Sequence, residues 1–192
     1  MPRKKRMKLS EWREFAAKRN ADQVAANRAA LKAGPQTRAL PRIGIDPAFR
    51  EDGMGVCVLQ DRRALFPKIE GFLHLQEWLR DQAPRPARII IENSNLQNAS
   101  FDLRGNRSVI AKKARNVGTN QAVSQLIVDF CRQLFGTAYV IEVSPRQKGS
   151  KWCQRTALAV AATNGHELPK RLSQDKRDAY ALAQFSLPSS AV

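Results

Sequence analysis

Four acidic residues have the type and setting for metal chemistry: Asp46, Glu92, Asp175 and Asp178. The last two stand three apart in Ser173-Gln-Asp-Lys-Arg-Asp-Ala-Tyr-Ala-Leu-Ala-Gln184, so on a helix both carboxylates leave one face. Ser173 suits an N-cap, and acids are favoured at the positive end of a helix dipole. Alone, this stretch reads more simply as a capped surface helix with solvated acids. Asp46 and Glu92 change that reading, because each ends an apolar run, Ile43-Gly-Ile-Asp46 and Arg88-Ile-Ile-Ile-Glu92. In α/β sheets, sites form outside the carboxyl ends of the strands, where acids distant in sequence converge. Carboxylates gathered there repel one another unless a cation neutralises them. Hard oxygen donors without a His/Cys set select Mg²⁺ or Mn²⁺. Two such ions, about 3.5–4 Å apart, activate a water and stabilise the leaving oxygen in phosphodiester hydrolysis. Asp46, between both ions, would be the bridging ligand.

The elements that must position these acids follow from the pattern along the chain. Ile43–Asp46, Met54–Gln60 and Ala64–Phe66 read as three strands of an antiparallel meander. Gly71–Gln82 has helical spacing in Phe72, Leu75, Trp78 and Leu79, and is stopped near Pro84 and Pro86. Arg88–Ile91 is a continuous apolar run suited to a strand buried on both faces. A polar stretch, Asn93 to Asn116, leads to a helix over Thr119–Phe135, a strand over Ala138–Val143, a basic loop over Pro145–Lys151 and a helix over Trp152–Thr163. The Ser173 helix closes the core. This order predicts an α/β fold, a mixed sheet flanked by helices.

The formal net charge is +16, with a pI of about 10.6, which makes a polyanion the expected partner. More than half of the excess lies in residues 1–42. Residues 1–41 therefore read as a basic tail and a thinly apolar, Ala-rich helical arm that contacts DNA, contacts a protein partner, or is simply solvated. Residues 42–192 form the compact domain. No apolar run reaches the length of a membrane span, and no h-region follows the basic N-terminus. Cys57, Cys131 and Cys153 lie far apart, as reduced thiols of a cytoplasmic protein do. His74 and His166 have no ligand companions nearby and read as incidental, and Trp152 reads as core.

Four segments resemble the RuvC-like Holliday-junction resolvases of the RNase H-like superfamily: Ile43-Gly-Ile-Asp-Pro47, Ile89-Ile-Ile-Glu92, Lys113-Ala-Arg-Asn-Val-Gly118 and Asp175-Lys-Arg-Asp-Ala-Tyr-Ala-Leu-Ala183. They occur in the family's order over residues 42–186. The resemblance implies an RNase H-like fold and a four-acid Mg²⁺ site at Asp46, Glu92, Asp175 and Asp178. It also implies a homodimer, with Thr119–Phe135 at its interface, that nicks opposed strands of branched, four-way DNA. Lys148 and Lys151 match the family's basic loop in position and character, for phosphate contact or transition-state charge. Arg104, Arg107, Lys112, Lys113, Arg115 and Arg146 are the remaining DNA-contact candidates. The aromatic that often follows the family's strand-terminal Glu is replaced here by Asn93-Ser-Asn95, and the nearest aromatic, Phe101, is the DNA-contact candidate for opening the junction. Two other readings stand beside this one: an RNase H-like nuclease or transposase-type domain acting on other DNA or RNA–DNA substrates, and a non-catalytic DNA-binding module.

Overall fold

The protein is described by a computed structural model covering residues 40–47, 53–96 and 106–185. The expected tail and arm, apart from residues 40 and 41, lie outside the described residues, as do Phe101 and Arg104.

Five strands form one mixed sheet: β1 Arg42–Asp46, β2 Gly55–Gln60, β3 Arg63–Leu65, β4 Arg88–Glu92 and β5 Val140–Val143, in the order β3-β2-β1-β4-β5. β1, β2 and β3 make the expected antiparallel meander, while β4 runs parallel to both β1 and β5. Helices α1 Phe72–Asp81 and α2 Arg107–Phe135 cover one face. Helices α4 Gln154–Asn164 and α5 Gln174–Ala183 cover the other. A single helical turn, α3 Pro145–Lys148, follows β5. The α/β architecture, a mixed sheet flanked by helices, is as expected.

Strand periodicity sorts the side chains between the two layers. Ile43, Ile45, Val56, Val58, Ile89 and Ile91 face α1 and α2, meeting Leu75, Leu79, Ile127 and Val128 in the larger core. Gly44, Asp46, Ile90 and Glu92 alternate with them and face α5, where Ile90 packs on Leu182. Burying each such aliphatic side chain contributes about 1.5–3 kcal/mol, so a one-residue slip of β1 or β4 would be strongly opposed. That register also sets Asp46 and Glu92 on the α5 side.

Two expectations about element boundaries are corrected. The long helix begins at Arg107, twelve residues before the expected Thr119. Asn106 caps it, its Oδ1 accepting the Val109 N–H at 3.0 Å, and the lone Gly118 costs only about 1 kcal/mol, too little to break it. The stretch after Ser144 is not loop throughout. Ser144 and Gln147 form a reciprocal capping box around Pro145, which makes α3. The Ser-x-x-Gln spacing carried that signal.

Candidate active site

The position of α5 is set by what the sheet beneath it lacks. A Cβ on Gly44 would lie 2.0 Å from the Ala179 carbonyl oxygen and 2.6 Å from the Ala183 nitrogen. On Gly55 it would lie 2.2 Å from the Asp175 carbonyl oxygen. Glycine on the strands and alanine on the helix therefore let the two backbones touch. Ala179, Leu182 and Ala183 of α5 are fully buried. Gly55 pairs with Asp46 across the β1–β2 ladder, so the first turn of α5 lies over the end of β1. Ser173 caps that turn as expected, its hydroxyl accepting the Lys176 N–H at 3.4 Å.

Three of the expected acids converge on a single ammonium. Lys148 Nζ lies 3.8 Å from Asp46 Oδ2 and 3.6 Å from Asp178 Oδ2, and it forms a close ion pair with Glu92 Oε2. The side chains are nearly enclosed, with 9% of Lys148, 8% of Asp46, 14% of Glu92 and 4% of Asp178 exposed. Burial would push the Lys148 ammonium down, but Asp46, the hydrogen bond to Glu92 and the charges of Glu92 and Asp178 outweigh it, and its pKa is raised. Asp175 is also buried, one helical turn before Asp178.

Asp178 is held from behind. Gln174 donates its amide to Asp178 Oδ1 at 2.8 Å, leaving Oδ2 for the shared centre. Arg177 fixes that glutamine through Oε1 at 2.7 Å, and itself binds the carbonyls of Trp152, at 2.9 Å, and Leu172. Trp152 packs edge-on against Tyr180 with 6.0 Å between centroids, the core role expected of it. Behind Glu92, Asn93 is fully buried and donates to Glu142, which Arg132 of α2 pairs. The Asn93 carbonyl oxygen of the side chain accepts from the Asn95 backbone and amide, and the Asn95 amide reaches the Gln121 carbonyl at 2.7 Å. This network ties the end of β4 to α2 and turns Glu92 toward the opposite face. Sequence reasoning missed Gln174, Arg177, Asn93 and Arg132 as orienting residues. Only Gln174 carried a legible sign, its i, i+4 spacing to Asp178.

The basic candidates are distributed unevenly. Lys148 is at the centre of the acids. Arg146 and Lys151 flank it, exposed, on α3 and just beyond. Arg107, Lys112, Lys113 and Arg115 are exposed on the first turns of α2, not in a loop. His166 and His74 have structural partners, Tyr180 Oη at 3.0 Å and the Glu70 N–H at 3.3 Å. The three cysteines are free thiols.

The donor set fits a divalent metal in its chemistry, since three hard carboxylates face one point. Asp46, Glu92 and Asp178 would hold it, with Asp175 close by. Among the described residues no three His, Cys, Asp or Glu side chains are drawn together tightly enough to chelate an ion; the acids are arranged around the ammonium instead. No described helix is long and apolar enough to cross a membrane. No family model matches the chain, and neither does any curated protein or solved structure.

Proposed function

We propose that this chain is a divalent-metal-dependent, structure-selective endodeoxyribonuclease with an RNase H-like fold that resolves four-way DNA junctions. The observation that carries the reading is the convergence of Asp46, Glu92 and Asp178, from β1, β4 and α5, on one nearly enclosed point at the carboxyl end of the parallel strands. Burying three carboxylates at one point costs desolvation, which a working cation site explains better than an idle binding module does. The net charge of +16 supplies attraction for a polyanionic substrate.

A Mg²⁺ ion held by Asp46, Glu92 and Asp178 would supply Lewis acidity for phosphodiester hydrolysis. The chain's own residues do the positioning. Asp46 and Glu92 are fixed by neighbouring strands, and Asp178 by Gln174 and Arg177, so the oxygen donors need little reorganisation. Arg146 and Lys151, exposed on either side of Lys148 in the chain, are suited to hold the phosphates beside the scissile bond. Arg107, Lys112, Lys113 and Arg115, exposed on α2, offer further phosphate contacts. Junction selectivity and the homodimer rest on the family resemblance, and exposed Val109 and Leu126 suit α2 to a protein contact.

The test is cleavage of a synthetic four-way junction beside its matched linear duplex, with and without Mg²⁺. Paired, symmetric, Mg²⁺-dependent nicks in the junction alone are the expected result. Equal cutting of both substrates would remove junction selectivity, and full cleavage by Glu92→Gln and Asp178→Asn would remove the metal site.

A further inference from the structure

The position a metal would take among these acids is filled by a side chain of the protein itself. Lys148 Nζ is within ion-pair distance of carboxylates from three elements, and its side chain is only 9% exposed. We propose that Lys148 and a divalent cation are alternative occupants of one carboxylate cage, so that Lys148 is a resident counter-ion that must withdraw before the metal enters. This rests on the nuclease reading above and adds a control step to it.

The walls of the cage and its plug differ in how firmly they are held. Asp46 and Glu92 end paired strands under α5, and Asp178 is braced by Gln174 and Arg177. Lys148, by contrast, is the last residue of a one-turn helix. Gly149 follows it with φ +84°, nothing lies within 4 Å of where its Cβ would be, and Ser150 and Lys151 are exposed. Four rotatable side-chain bonds and an unpacked exit let the ammonium swing out without moving the acids. A divalent ion would meet the same carboxylates with a higher charge than the ammonium it replaces. Lys148 Nζ lies against oxygens of Asp46, Glu92 and Asp178, so cation and ammonium would compete for those oxygens. Once withdrawn, Lys148 lies at the rim beside Arg146 and Lys151, where an incoming phosphate would meet it. One residue then screens the acids at rest and contacts the substrate when the metal is loaded.

Calorimetric titration of the full chain with Mn²⁺ and Mg²⁺, parent against Lys148→Met, tests the exchange. Removing a unit charge from the cation's own position is expected to tighten binding about tenfold or more. Equal or weaker binding by Lys148→Met overturns the proposal. The unmodified protein gives a second measurement that does not depend on the variant folding, the rate of Lys148 acylation read by mass spectrometry. The expected result is protection without metal and faster acylation at saturating Mg²⁺; unchanged protection at saturating Mg²⁺ overturns it. Asp178→Asn separates the two levels of the argument. If it binds Mn²⁺ as well as the parent does, or if no form binds, the metal site itself is wrong and the exchange falls with it. If Asp178→Asn alone loses binding while Lys148→Met gains none, the site stands and only the exchange fails.

Discussion

Substituting Gly44 by alanine should dislodge the helix that carries two of the four acids. The added methyl would meet the Ala179 carbonyl oxygen at 2.0 Å and the Ala183 nitrogen at 2.6 Å, where ordinary contact begins near 3.4 Å. Both obstacles are backbone, so no rotamer relieves them, and α5 must lift from β1 by roughly 1 Å or more. Overpacking of this kind costs about 1–3 kcal/mol, occasionally more, and a clash with backbone on both sides places Gly44→Ala near about 3 kcal/mol. For a chain of this size each kcal/mol lowers the melting temperature by about 2–4 °C, so the expected fall is roughly 6–12 °C. Thermal unfolding of the full chain, followed by far-ultraviolet circular dichroism, reads it directly. Gly71→Ala is the control, because a Cβ there meets nothing within 4 Å. A Gly44→Ala protein melting within about 2 °C of the parent would refute the argument that close backbone contact seats α5.

Three further outcomes follow from the same structure. Gly118→Ala, in the exposed middle of α2 with no neighbour within 4 Å, should stabilise the fold by about 0.5–1 kcal/mol in urea unfolding. Arg132→Met removes the guanidinium that pairs with Glu142, 3% exposed, and should cost about 3 kcal/mol in the same measurement while lowering metal affinity through the Asn93 link to Glu92. Lys148 has its pKa raised in the fold, so the stability it contributes as an ammonium is complete below its ordinary value of 10.5 and is lost as pH rises through the higher folded value. The parent should therefore lose stability more steeply above that pH than Lys148→Met, a comparison in which Tyr180, whose burial pushes its phenol up to about 12, is common to both.

Much of the frame was legible because it depends on local periodicity. The unbroken run Ile89–Ile91 demanded a strand covered on both faces, and β4 is at the interior of the sheet. Asp46 and Glu92 could be placed because each ends an apolar run and the two occur together with the Asp175 and Asp178 pair, and Ser173 because a cap is a one-residue decision. What escaped notice depends on neighbours distant in sequence. Gly44 looked like one more strand residue until α5 lay across it. Arg132 gave no sign of its role, since Glu142 is on a different element and its pairing follows only from how α2 packs on β5. The start of α2 was misplaced because a polar, basic segment with a glycine near its end resembles loop, although alanine, lysine and arginine there are good helix formers. Lys148 was assigned to phosphate contact or transition-state charge on position and character alone; that its ammonium sits among the acids follows from the turn Ser144 and Gln147 create, which swings residue 148 back over the ends of β1 and β4.

The central claim is that Asp46, Glu92 and Asp178 form a divalent-metal site. Anomalous diffraction from crystals grown with Mn²⁺ tests it most directly. The account predicts an anomalous peak within ligating distance of carboxylate oxygens of all three residues, with Lys148 Nζ displaced from among them. Crystals saturated with Mn²⁺ that show no peak there, and Lys148 still paired with Glu92, would contradict it.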